Sequence, residues 1–320
     1  MSKYSICLDI GGTKVLGAIF DESQEIVFRL KKKTKVKEGA QNVEDTIVSV
    51  VDELLSGYGI TLDDVLAIAA GAPGVINQDT GVVLYSPNLP WENYEIKRII
   101  EDRFHVPFFI GNDVNVGIYG EWKYGAARGL THVVGLFIGT GMGGGLILDG
   151  KLYSGYNFKG AELGHMILNA EGPRCNCGQR GCLESFSSKL GMTDYIRQQI
   201  QRGRSSLMED AIVDGVFKSK AMKAAYEADD DVMLEAIDRA CHYLAIASGS
   251  LVNIFSPEMV VFGGGVMEAL GDAFLEKIID QVDLYCMPSI RTSVKFAKAE
   301  LNDDSILYGA LALINENLNQ

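Results

Sequence analysis

The sequence predicts an alternating α/β protein built from two related halves. Three observations predict it. Near the N-terminus a β-rich run breaks at Gly-Gly-Thr and resumes as a second β-rich run (residues 6–21), and the same scheme recurs at residues 133–149. Short apolar runs that end in Gly, Asn or Asp alternate with amphipathic stretches of helical period. The chain has 320 residues, 47% of them hydrophobic and 22% charged. That is enough for about two domains with cores of their own, and it argues against disorder.

The elements follow in order. The first strand carries Asp9 just ahead of Gly11-Gly12-Thr13, and Lys14 opens the next strand. Consecutive N–H groups at such a turn can face one anion, and Thr adds a hydroxyl donor. A plain tight hairpin is the alternative. A strand follows the glycines, so this is no dinucleotide-binding fingerprint, which needs a helix there. Lys31, Lys32 and Lys33 read as a solvated strand end. A helix is expected over residues 42–55, with apolar Val43, Ile47, Val50, Val51 and Leu54 on one face. A buried strand over 65–70 runs into Gly71-Ala-Pro73-Gly74. Ser86-Pro87-Asn88-Leu-Pro90-Trp91 is a rigid polar loop with an amide and an indole, either a simple turn or a ligand-facing segment. A strand over 106–110 ends in Gly111-Asn112-Asp113, and a helix begins near residue 114 and runs to 124. The second hairpin carries Gly139, Thr140, Gly141 and Gly143 in and beside its turn. Further helices follow, the longest over 231–255. A strand over 259–262 leads into Gly263-Gly264-Gly265 and a helix over 266–282. A strand over 294–297 and a helix over 305–317 close the chain. The domain boundary is expected in the stretch 117–129.

The strongest local signal is His165 followed by Cys175-x-Cys177-x₄-Cys182. Thiolates and an imidazole at this spacing are the donors of a closed, tetrahedral structural zinc site. Such a site couples folding to metal by on the order of 10 kcal/mol. With four protein ligands it has no open position for a reacting water. Arg174 and Arg180 are expected to favour the ionised thiols. Glu162 and Glu184 flank the cluster, and with the second ring nitrogen of His165 they form a polar set suited to a polyol. At the strand ends, Asp113 is either a helix N-cap or a general base. Asp9 has the character of an Mg²⁺ ligand beside substrate phosphates. Lys14 is either an exposed lysine or a phosphate counter-charge.

Composition excludes several classes. A net charge of −13 and a pI of about 4.8 argue against nucleic acid and anionic membranes as partners. The opening Met-Ser-Lys-Tyr-Ser-Ile enters a strand pattern directly and offers no signal peptide. The uncharged run 129–148 is long enough to span a bilayer, but seven of its twenty residues are glycine and its pattern is that of strands. Cys7, Cys241 and Cys286 sit among apolar neighbours as small core residues, and no disulfide framework is indicated. A reducing cytoplasm is expected. The 36 glycines exceed the usual share of about 7% and concentrate in a few turns.

Asp9-Ile-Gly-Gly-Thr-Lys14, Gly71-Ala-Pro-Gly74, Asn112-Asp113, Gly139-Thr-Gly-Met-Gly-Gly-Gly145, Glu162-Leu-Gly-His165, the Cys175-to-Glu184 block and Gly263-Gly-Gly265 together resemble the ROK family of the actin-like, hexokinase-type ATPases. The resemblance spans nearly the whole chain and is strongest to bacterial glucokinases. It implies two RNase-H-like α/β domains around a central cleft. The small N-terminal domain would span 1–116, the large domain with the zinc motif 117–303, and the helix at about 304–318 would pack back on the first. It implies ATP-dependent phosphorylation of a hexose at its 6-hydroxyl, glucose foremost. N-acetylglucosamine, N-acetylmannosamine, mannose, fructose and allose are the alternatives.

Carried over residue by residue, Asp113 matches the catalytic base. Asn88, Asn112, Glu162, His165 and Glu184 match the sugar contacts. Gly11, Gly12, Thr13 and Lys14 match one phosphate loop, and Gly139, Thr140, Gly141 and Gly143 the other. Gly263, Gly264 and Gly265 match the nucleoside region. His165, Cys175, Cys177 and Cys182 match the zinc ligands. ATP, Mg²⁺ at Asp9, structural Zn²⁺ and a homodimer are implied. The family also contains sugar-sensing repressors with an N-terminal DNA-binding domain. Here the first phosphate motif begins at Asp9, and the acidic charge disfavours DNA. A non-catalytic sugar-binding regulator is disfavoured by the intact Asp9, Asp113 and glycine turns.

Overall fold

The computed structural model describes residues 3–213 and 215–318. Met1 and Ser2, on which the expectation about the chain's start partly rests, lie outside the described residues. The chain divides into two compact units. The first runs to Gly129, takes in Ser154–Gly160, and is completed by the chain from Asp303 onward. The second holds Leu130–Tyr153 and Ala161–Asn302.

The first unit begins with β1 (Tyr4–Ile10), β2 (Lys14–Phe20) and β3 (Ile26–Lys33), then α1 (Ala40–Tyr58) and β4 (Val65–Ala72). A small antiparallel sheet of β5 (Val75–Asn77), β6 (Val82–Tyr85) and β7 (Glu92–Tyr94) precedes α2 (Ile96–Phe104), β8 (Phe108–Asn112) and α3 (Asp113–Lys123). The main sheet has the order β3-β2-β1-β4-β8. β1 is antiparallel to β2 and parallel to β4, and β4 is parallel to β8. The central strand β1 buries Ile6, Cys7, Leu8 and Ile10 fully, as expected of a strand covered on both faces. α1 buries Val43, Ile47, Val50, Val51 and Leu54 and ends at Gly59 in the left-handed conformation. Lys31 and Lys33 are exposed on β3, while Lys32 reaches Ser49 and Glu53 of α1.

The second unit contains β9 (Val133–Ile138), β10 (Met142–Leu148), β11 (Lys151–Leu152), α4 (Glu184–Ser187) and α5 (Lys189–Gln201). Then come the short pair β12 (Ile212–Val213) and β13 (Val216–Phe217), α6 (Ser219–Glu227), α7 (Asp231–Phe255) and β14 (Met259–Gly263). α8 (Gly265–Leu270), α9 (Asp272–Val282), α10 (Pro288–Arg291) and β15 (Lys295–Lys298) complete it. Its sheet has the order β11-β10-β9-β14-β15, with β9–β10 antiparallel and β9–β14–β15 parallel. Both sheets therefore share one strand order, and the sequence repeat is a repeat of topology. The last helix, α11 (Ser305–Leu318), packs in the first unit on α3, β4 and β1.

Two expectations change. The helix expected over 266–282 is two helices, because Gly271 takes φ +65° and its N–H closes α8 on Met267 O. The strand expected over 106–110 begins two residues later, at Phe108. Pro107 has no N–H for a ladder, although its carbonyl accepts from Ile68. Among the described residues no helix is long and apolar enough to cross a membrane.

Candidate functional site

In the first unit the site residues gather at the C-terminal ends of β1, β4 and β8, where open parallel sheets offer strand ends to ligands. The β1–β2 turn is closed by Gly11 N–H to Lys14 O at 2.8 Å. It is pinned from outside by Thr34, whose hydroxyl donates to Gly11 O (2.9 Å) and whose N–H donates to Thr13 O (3.0 Å). Sequence reasoning missed Thr34, because it lies on the far side of β2 and β3 and carries no motif. The Ser86–Trp91 loop (residues 86–91) lies directly on this turn, since a Cβ at Gly12 would stand 2.9 Å from Asn88 O. Asn88 is exposed there. Trp91 is only 2% exposed and stacks on Tyr94, so the indole belongs to the core rather than to a ligand surface.

Asn112, not Asp113, is the N-cap of α3. Its Oδ1 accepts from Val114 N (3.0 Å) and Asn115 N (3.1 Å), and its Nδ2 donates to Gly74 O (3.0 Å). The capping uses both lone pairs of that oxygen and leaves one N–H of the amide for a ligand. Asp113 is the first helical residue, accepts from Val114 N at 2.9 Å, and stands at the positive end of the helix. Gly71, paired with Asp9 in the parallel register, must lack a Cβ: one would lie 3.3 Å from Asp113 Cα and 2.5 Å from Ile306 of α11. Asp9 and Asp113 thus share one strand-end neighbourhood. Burial, and secondarily the Asp113 charge, raise the Asp9 carboxyl from 3.8 to about 6, with Lys14 pulling the other way. A half-buried acid beside a second carboxylate is a donor set that suits a divalent cation, which offsets both charges.

In the second unit, Gly139 N–H bonds Gly141 O (2.9 Å) and closes the β9–β10 turn. Lys189 N–H and Leu190 N–H, at the start of α5, bond Gly139 O (3.0 Å) and Thr140 O (3.1 Å). The third glycine cluster follows β14, with Gly264 at φ +85° and Gly265 opening α8. The short 3₁₀ turn Leu163–His165 docks on β10 so closely that a Cβ at Gly164 would stand 2.0 Å from Met142 O.

The cysteine cluster forms as expected. One ligand atom from each of His165, Cys175, Cys177 and Cys182 lies within 4.8 Å of all the others. Two thiolates about 2.3 Å from a tetrahedral zinc stand about 3.8 Å apart. Cys177 Sγ and Cys182 Sγ are 3.7 Å apart, and Cys175 Sγ is 3.7 Å from His165 Nδ1. The donor set therefore fits zinc, with Nδ1 on the cluster side of the imidazole. Burial raises the Cys175 and Cys182 thiols. Burial also pushes Cys177 up, but the Gln179 N–H and the other two thiols outweigh it, and its net shift is downward. Neither Arg174 nor Arg180 is among the leading causes of these shifts. Arg180 donates instead to Gly172 O at 3.4 Å.

Glu184, the first residue of α4, joins the cluster to the glycine turn. Its carboxylate accepts from Met142 N–H (2.9 Å) and from the Cys175 thiol (3.3 Å). Glu162 is open to solvent, yet desolvation and the Glu184 charge raise its carboxyl against the opposing pull of His165. Glu162, His165 and Glu184 are thus brought within electrostatic reach of one another.

A family model described as the ROK family matches residues 5–317. The chain is 31% identical to the glucokinase of Halalkalibacterium halodurans, over 99% of this chain and 96% of that one. It is 32% identical to the glucokinase of Thermotoga maritima, over 98% of each. Among solved structures it is similar to a ROK family glucokinase from Streptomyces griseus in complex with glucose and AMPPNP. The TM-score is 0.84 at 28% identity, covering 98% of this chain and 99% of that one.

Proposed function

The chain belongs to the ROK family, with the two-domain α/β fold of the actin/hexokinase type, and on that premise we propose that it transfers the γ-phosphoryl group of ATP to the 6-hydroxyl of glucose. It is a hexokinase-type sugar kinase. The observation that carries the chemistry is the placement of Asp113 at the start of α3, next to Asp9 and the Gly11–Thr13 turn (residues 11–13).

Asp113 is the base. Its carboxylate accepts the proton of the sugar hydroxyl as that oxygen attacks phosphorus. Phosphoryl transfer asks chiefly for positioning and for donors aimed at the developing charge. The N–H groups of Gly12 and Thr13, the hydroxyls of Thr13 and Thr140, and the N–H groups of Thr140 and Gly141 supply these donors, with Lys14 as counter-charge. The free N–H of Asn112, together with Asn88, Glu162, His165 and Glu184, orients the sugar. Gly263, Gly264 and Gly265 receive the nucleoside. Mg²⁺, when bound beside Asp9, neutralises phosphate charge. Zinc holds His165 and the three cysteines as a structural clip and takes no part in transfer.

The test is a coupled ADP-release assay with ATP and a panel of glucose, mannose, fructose, allose and the two N-acetylhexosamines. Glucose should give the highest kcat/KM. A higher value for an N-acetylhexosamine overturns the sugar assignment, and no sugar-dependent ADP release overturns the kinase reading.

A further inference from the structure

Lys189 belongs to no motif used above, yet it touches both glycine clusters of the second unit. Its backbone N–H holds the β9–β10 turn through Gly139 O at 3.0 Å. Its side chain runs to the other cluster, where a Cβ built at Gly265 would lie 3.3 Å from Lys189 Nζ and 3.3 Å from Ser219 Oγ. The two clusters are themselves in contact. Gly263 pairs with Phe137 in the parallel register, and a Cβ at Gly264 would stand 2.6 Å from Ile138 O. A half-buried ammonium therefore sits where two sets of glycine N–H groups meet, flanked by a serine hydroxyl. Among the described residues the charge that acts on it is Glu268 of α8. Burial holds the ammonium below its usual pKa, and the Glu268 charge only partly compensates. A cation kept partly out of water with its charge only partly offset is a cost that a bound anion removes.

We propose that Lys189 binds the phosphate chain of the nucleoside triphosphate and is this chain's counter-charge for it in the second unit, with Ser219 as a neighbouring hydroxyl donor. The proposal rests on the kinase reading and names a nucleotide-binding residue for it. A lysine suits the task because its ammonium is a compact point charge on a flexible stem and can follow the phosphates.

The test titrates AMPPNP, ADP and adenosine into the zinc-loaded wild type, K189M and K189R by calorimetry, and measures KM for ATP and for sugar. K189M keeps the apolar stem that packs beside Gly265, and its melting temperature is checked first. K189M is expected to weaken AMPPNP and ADP on the order of tenfold and to leave adenosine unchanged. KM for ATP should rise in parallel with KM for sugar unmoved, and K189R should restore most of the loss. An equal loss for adenosine makes Lys189 a packing support and overturns the proposal, as does no loss for AMPPNP. A wild type that binds AMPPNP but releases no ADP with any sugar fails the kinase reading alone, and the two failures are thereby told apart.

Discussion

Asp9 is held at the end of β1 in a place unfavourable to its own charge. Its carboxyl, normally at 3.8, is raised to about 6. The folded state therefore binds a proton between about pH 4 and pH 6 that the unfolded chain has already released. Stability is lost as pH rises through about 6, and the cost at neutral pH is up to about 3 kcal/mol. Asp9→Asn should make the metal-free protein more stable than wild type at pH 7.5, with the difference shrinking toward pH 4 in urea titrations. The same variant should lose affinity for Mg·ATP. In wild type that affinity should fall as pH drops through 6. An Asp9→Asn variant no more stable at pH 7.5 than at pH 4, relative to wild type, refutes the strain. Asp113→Asn should lower kcat by roughly 10²- to 10⁴-fold and leave sugar affinity within a few-fold, as checked by steady-state kinetics and sugar titration. Near wild-type turnover would remove Asp113 from the role of base. Asn112 shows the limit of motif reading at this scale. Asn-Asp before a helix is legible in the sequence, but which of the two caps is decided by backbone angles at the strand end.

The metal-ligating segment is the element on which the sugar-binding proposal depends most. The His–Cys₃ spacing was legible as a zinc clip. The bond of Glu184 to Met142 N–H was not, because Met142 lies 42 residues away in sequence. Zinc takes the thiol protons and fixes His165, one of the proposed sugar contacts, so chelation should lower the melting temperature and weaken sugar binding together, and zinc should restore both. If metal-free, still folded protein keeps its sugar Kd, the clip is a remote staple. The broken helix at Gly271 is a second case. The apolar period runs through residues 266–282, and only the positive φ at a residue without a side chain interrupts it. Periodicity records which face is buried, not whether the axis continues.

At the scale of the molecule, α11 is part of the first unit's core although it ends the chain. It buries Leu307, Leu311, Leu313 and Ile314, and it is bonded to α3 through Ser305 to Glu121 (2.8 Å) and Tyr119 to Glu316 (2.6 Å). Burial of four such side chains is worth roughly 6–12 kcal/mol, comparable to a domain's whole stability. A chain ending at Asn302 should therefore lose the cooperative melt of the first unit in circular dichroism. A melting temperature within a few degrees of full length would show that α11 only decorates it.

The sequence alone determined the repeat of strand–turn–strand, the α/β class, the zinc donors and the family. These reside in short-range spacing, which local backbone geometry translates directly into turns, strands and ligand sets. Only the tertiary structure decided that both sheets share one strand order. It also decided that Thr34 pins the first glycine turn, that Glu184 couples the clip to the second, and that Lys189 reaches from one glycine cluster to the other. Each of those facts is a contact between residues far apart in the chain, made by packing against partners that no local pattern names.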